Sequence, residues 1–159
     1  MKRINKKKGF TLIELVIVLA VLAIIALIAI PNFTKVRTDS LEKADIQSAE
    51  QIKDIVLMGI ANKEVSPNPA KYKVTFKDNK SFDTFTILES KSEPKVEVDI
   101  SKLNDFVVMM KDIKKPQVNG KSEFLVEVYG TGDNVGSVRV GYPKNENTFE
   151  KVLAGETEK

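Results

Sequence analysis

The sequence predicts an α+β protein: one long amino-terminal helix laid on an antiparallel sheet of about four or five strands, with one short extra helix. Three observations predict it. Residues 10–30 are apolar on every face, and the segment after Pro31 carries apolar residues at three- and four-residue steps. Beyond residue 62 the pattern changes to apolar–polar alternation punctuated by Pro, Gly, Asn and Asp. One later stretch, residues 103–113, returns to helical spacing.

The chain opens on a basic leader, Lys2, Arg3, Lys6, Lys7 and Lys8, that ends at Gly9. The apolar run from Phe10 to Ile30 follows, 21 residues interrupted by one charge, Glu14, and closed by Pro31. As a helix rising ~1.5 Å per residue it is ~31 Å long, enough to cross the hydrocarbon core of a bilayer. A surface helix of a soluble domain would carry an apolar stripe instead. All five leader charges precede the run, so the positive-inside rule places Met1 in the cytoplasm and the remainder outside. A secretory signal peptide fits poorly. Its apolar region spans about 7–15 residues and ends in a small-x-small cleavage site. This run is longer and ends Ala26-Leu27-Ile28-Ala29-Ile30-Pro31. Glu14 separates the run from a plain single-pass anchor. A carboxylate in hydrocarbon costs roughly 3 kcal/mol on insertion scales, and such a residue either marks function or snorkels to the interface.

Taken as one string, Lys8-Gly9-Phe10-Thr11-Leu12-Ile13-Glu14 and the apolar run up to Pro31 resemble the amino-terminal signature of type IV prepilins and pilin-like proteins. The match is close over residues 8–31; beyond them only the general layout agrees. The resemblance implies a type IV pilin-like fold. It implies cleavage after Gly9 by a membrane aspartyl prepilin peptidase and N-methylation of the new terminal Phe10 by the same enzyme. It implies a role for Glu14 in methylation and assembly, and a bend or local melting of the helix at Pro31 in assembled fibres. The protein then divides into a leader (1–9), a transmembrane and assembly helix (10–31), an amphipathic half of that helix (32–62) and a β-rich pilin head (63–159).

After Pro31 the helix is expected to continue. Leu41, Ala44, Ser48, Ile52, Ile55, Val56 and Gly59 share one helical face, with Glu42, Lys43, Asp45, Glu50, Lys53 and Asp54 on the others. A proline inside a long helix removes one hydrogen bond and bends it. The helix ends near Asn62, because Ser66-Pro67-Asn68-Pro69 cannot continue it. Residues 72–76 and 82–88 alternate as two strands around a turn at Lys77-Asp78-Asn79-Lys80, and Val96-Glu97-Val98 adds a short extended piece. Leu103, Phe106, Val107, Met110 and Ile113 predict the short helix. Ser101 is its N-cap candidate with Asp99 behind it, Lys114 and Lys115 suit its end, and Pro116 stops it. Met109 and Met110 read as core filler. Residues 124–129 and 135–142 form a second hairpin. Between them, Gly130-Thr131-Gly132-Asp133-Asn134 is a turn, since a phosphate-binding loop needs a following helix and a lysine. Residues 148–153 make a short last strand before a frayed tail. Antiparallel hairpins need one face covered, and the amphipathic half-helix is the cover.

With 159 residues there is room for one globular domain plus the helix. The formal charge is +3, but the leader holds five of the 25 basic residues and no acid, leaving 20 against 22 and a formal −2. That balance does not support nucleic-acid binding, and Lys111, Lys114, Lys115 and Lys121 read as solvated lysines. The sequence has no cysteine, so it departs from the many pilins that carry a carboxy-terminal disulfide loop. It also lacks histidine, which together with cysteine supplies the commonest base, thiol nucleophile and soft metal ligands. No catalytic residue, metal site or cofactor is expected.

The expectation is a structural subunit of a type IV pilus or related filament, first in the cytoplasmic membrane and then on the cell surface, its head exposed for adhesion or motility. Its partners would be the prepilin peptidase/N-methyltransferase, other pilin subunits and the pilus assembly platform. The alternative within the family is a minor pilin or pseudopilin of a secretion or DNA-uptake machine. Outside it stands a single-pass surface binding protein that never polymerises and retains residues 1–9.

Overall fold

The computed structural model describes residues 9–77, 81–90, 104–130, 136–145 and 147–156. The elements run α1 (Leu12–Ala61), β1 (Ala70–Lys77), β2 (Ser81–Ser90), α2 (Asn104–Met110), β3 (Phe124–Tyr129), β4 (Ser137–Asn145) and β5 (Thr148–Ala154). The basic leader, the turn at Asp78-Asn79-Lys80, the extended piece at Val96-Glu97-Val98, Asp99, Ser101 and the turn residues 131–134 lie outside the described residues. The protein forms two compact units, Met1–Asp39 and Ser40–Lys159, and the division falls inside α1.

In the first unit α1 exposes its apolar side chains all round, from Leu12, Ile13 and Leu15 to Ile30, Phe33 and Val36. None of this apolar part is buried, and α1 is long and apolar enough to cross a membrane. The helix passes through Pro31. A proline has no N–H, so the carbonyl of Leu27 loses its helical donor. Just beyond, the Thr34 hydroxyl donates to the Pro31 carbonyl at 2.8 Å and the Thr38 hydroxyl to the Thr34 carbonyl at 3.0 Å. Both hydroxyls are thereby satisfied on their own helix.

The second unit is a five-stranded antiparallel sheet, ordered β2-β1-β3-β4-β5, with the later part of α1 on one face. Register explains which side chains go inward. Tyr72, Val126 and Val140 stand opposite one another across β1, β3 and β4, and Val74 stands opposite Phe124. All five are buried, in one core with Ala49, Ile52, Ile55 and Val56 of α1. Burying each large apolar group of this kind contributes about 1.5–3 kcal/mol relative to exposure. Tyr72 stacks on Phe85 at 4.6 Å, and Phe85 meets Phe106 of α2 edge-on at 5.1 Å. A Cβ on Gly59 would lie 2.8 Å from Val65 Cγ2 and 3.2 Å from Phe106 Cδ2, so the glycine lets α2 approach α1. The helix ends in a Schellman motif: Glu64 N–H donates to the Gly59 carbonyl at 2.8 Å, Lys63 N–H to that of Ile60 at 3.0 Å, and Lys63 has φ 62°.

Three details differ from the sequence expectation. Asp45, assigned to a polar face, is fully buried, and Ala44, assigned to the apolar face, is exposed. The Asp45 carboxylate is satisfied by the backbone N–H of Gln117 at 2.6 Å, that of Val118 at 3.0 Å and the Tyr142 hydroxyl at 2.6 Å. Second, α2 ends at Met110, short of Lys114 and Lys115. The residue before a proline avoids helical backbone, so Lys115 could not close the helix, and a turn instead returns Ile113 to the core. Third, β4 continues through Pro143 to Asn145, and β5 pairs along it antiparallel with register shifts between Val140 and Gly141 and again around Pro143. A Cβ on Gly141 would lie 2.1 Å from the Lys151 carbonyl oxygen, and one on Gly155 2.4 Å from that of Val138. Glycine leaves room for this close approach of the two backbones. Phe149 then lies 5.4 Å from the Arg139 guanidinium, whose Nε donates to Glu127 at 2.6 Å.

Candidate processing and assembly site

Gly9, Phe10 and Thr11 lie in non-helical backbone ahead of α1. The helix start is set by a capping box. The Glu14 backbone N–H donates to the Thr11 hydroxyl at 3.3 Å, and the Thr11 backbone N–H donates to Glu14 Oε2 at 2.8 Å. The Thr11 hydroxyl donates to the same Oε2 at 2.8 Å. The carboxylate also sits where the helix dipole favours negative charge. Thr11-Leu12-Ile13-Glu14 ahead of an apolar run is itself a capping signature, and treating Glu14 only as a charge inside a span misses it.

Of the sequence-derived site residues, Gly9 and Phe10 lie just ahead of α1 and Glu14 lies in its first turn. Pro31 lies 17 residues beyond Glu14 in the sequence, ~25 Å along a helix axis. Phe10 is 91% exposed, and nothing lies within 4 Å of a Cβ built on Gly9, so the Gly9–Phe10 bond is open to approach. Among the described residues, no group of three or more His, Cys, Asp or Glu side chains could hold a metal ion. This end of the protein therefore offers three chemical features: an accessible peptide bond in non-helical backbone, the terminal amine its cleavage would create, and a carboxylate held one turn away.

A long helix whose amino-terminal part is apolar and exposed, opened by a single capped acid, together with a five-stranded antiparallel sheet backed by one helix, defines the class of type IV pilin-like proteins. Residues 4–30 match the family described as the prokaryotic N-terminal methylation motif. The sequence is 35% identical over 113 residues to prepilin peptidase-dependent protein A of Clostridium perfringens (strain 13 / Type A), covering 71% of this chain and 73% of that protein. No solved structure matches it. The chain belongs to the pilin-like proteins that carry a prepilin-type amino-terminal signal.

Proposed function

We propose that the protein is a structural subunit of a type IV pilus or closely related filament. It enters the cytoplasmic membrane with Met1 inside, is cut after Gly9 by a prepilin peptidase and is N-methylated at Phe10. It then joins other pilin subunits at the pilus assembly platform through α1, and its head faces outward for adhesion or motility. The observation that carries this reading is the exposed, all-round apolar part of α1 that opens on Thr11 and Glu14. Such a surface needs lipid or neighbouring helices around it. The name of the clostridial relative, dependent on a prepilin peptidase, supports the processing step.

Lipid is already apolar, so exchanging lipid for helices yields little hydrophobic gain; packing and polar pairing must supply the selectivity. The α-amine released at Phe10 has a pKa of about 7.7–8.0 and is largely protonated at neutral pH. Methylation keeps that charge. Such a cation and a Glu14 carboxylate are each costly alone in lipid; paired between neighbouring subunits, they offset that cost and fix an axial register. Pro31, where the helix lacks a hydrogen bond, is the place for it to yield in a fibre.

Imaging and mass spectrometry of sheared surface filaments test the reading. A protein beginning at methylated Phe10 and abundant in long fibres is the expected result. Trace amounts in fibres would favour a minor pilin or pseudopilin. A mature protein that still begins at Met1 would reject processing and leave a single-pass surface protein.

A further inference from the structure

We infer that Asn119 is a self-modifying position, an asparagine that deamidates in the folded protein. Asn119 is the one asparagine in the sequence followed by glycine. Asn119 and Gly120 are exposed at the tip of a turn in which Lys121 N–H donates to the Val118 carbonyl at 3.1 Å. The turn is held at both ends. Gln117 and Val118 give their N–H groups to Asp45, and the Lys121 amine pairs with Glu150 and lies 5.3 Å from the Tyr142 ring. Gly120 has φ +82°, and nothing lies within 4 Å of a Cβ built there. A side chain at that position would crowd the backbone nitrogen; glycine leaves it accessible.

The chemistry requires only water and base. The Gly120 backbone nitrogen gives its proton to hydroxide and attacks Asn119 Cγ. A carbon–nitrogen bond forms there, the bond from Cγ to the amide Nδ2 breaks, and that nitrogen takes a proton from water and leaves as ammonia, which restores the hydroxide and closes a succinimide. Water then opens either carbonyl of the ring, leaving aspartate or isoaspartate. No electrons are transferred. Each converted copy gains one negative charge beside the Lys121–Glu150 pair, and the isoaspartate product adds one carbon to the main chain within the turn. The other asparagines precede bulkier residues or proline, as at Asn32, Asn62, Asn68 and Asn145.

The test holds the full-length folded protein in detergent micelles at mildly alkaline pH and follows its digest by mass spectrometry over days. The expected result is progressive loss of the amide form at Asn119, a gain of one mass unit on that peptide, and two separable products. One of them should be labelled by an isoaspartate methyltransferase. Peptides carrying Asn62 and Asn145 should keep their amides, and Asn119→Gln should remove the product pair. An unchanged Asn119 in the folded protein would overturn the inference, and an unfolded sample run in parallel would show whether the fold is what protects it. The readout is independent of whether the protein forms filaments.

Discussion

The Tyr142 hydroxyl donates to the Asp45 carboxylate at 2.6 Å, joining residues 97 positions apart in the sequence. Asp45 is fully buried on α1, and its other two donors are the backbone N–H groups of Gln117 and Val118. One carboxylate thus pins the helix to β4 and to the segment after α2. Tyr142→Phe removes one charge-assisted bond and should cost about 1–3 kcal/mol. Asp45→Leu should cost more, roughly 3–5 kcal/mol, because two of the stranded donors are backbone groups that no apolar substitution can remove. Denaturant unfolding of both variants checks the order; an Asp45→Leu protein as stable as the parent would refute it.

The same contact gives a pH dependence. Burial, then the Asp45 hydrogen bond and charge, push the Tyr142 hydroxyl far above its ordinary value, and burial pushes Tyr72 in the same direction. The unfolded state therefore loses these protons first, at a pH of about 10, while the native state retains them. Stability from this source is complete below that pH and declines as the pH rises past it. Unfolding midpoints measured through the alkaline range should fall, and Tyr142→Phe should make the fall shallower.

Gly141 lets β5 approach β4 closely at a register shift. A methyl group there would meet the Lys151 carbonyl oxygen at 2.1 Å and the Val152 Cα at 2.9 Å. Gly141→Ala should destabilise the protein by about 3 kcal/mol or more, since backbone, unlike a flexible side chain, cannot step aside cheaply. Hydrogen exchange should show early opening of β5 in that variant. Retention of native protection in β5 would count against the close approach at Gly141.

At the carboxy-terminal end of α1 the opposite change is favourable. Lys63 holds the left-handed position of the Schellman motif with φ 62° and is exposed. Left-handed backbone costs an ordinary residue about 1–2 kcal/mol, part of which glycine returns as entropy of the unfolded state. Lys63→Gly should raise stability by about 0.5–1 kcal/mol, visible as a higher thermal midpoint.

Glu14→Gln separates capping from charge. Glutamine at this position still completes a capping box, so the helix start and the approach to the Gly9–Phe10 bond should persist. The variant carries no negative charge to meet a terminal amine. Intact mass should show normal cleavage after Gly9, and sheared preparations should contain few or no fibres. Normal fibres from this variant would sink the pairing of Phe10 with Glu14.

Much of the architecture was legible because burial imposes periodicity on neighbouring residues. The alternation at Tyr72, Val74 and Phe76 announces β1, and the recurrence at Ser48, Ile52, Ile55 and Gly59 announces the packed face of α1. The start of α1 was legible too, in Thr11 and Glu14, although the motif has to be read as a cap and not only as a charge. Asp45 defeats the same reading, because a charged side chain looks solvated even where Ser48 and Ala49, three and four residues on, are packed. Its partners are supplied by residues more than 70 positions away. Met110, by contrast, is in the core as its spacing implied.

By itself the sequence determined the α+β class, the apolar span with its single acid, the family signature and the order of most elements. These depend on local spacing, and local spacing is written in the order of residues. Only the tertiary structure decided that Asp45 is buried, that α2 stops at Met110 and that β5 closes on β4 at Gly141 with a shifted register. Each of these rests on a donor or a backbone atom brought from a distant part of the sequence, and no local pattern of hydrophobicity records where such a group arrives.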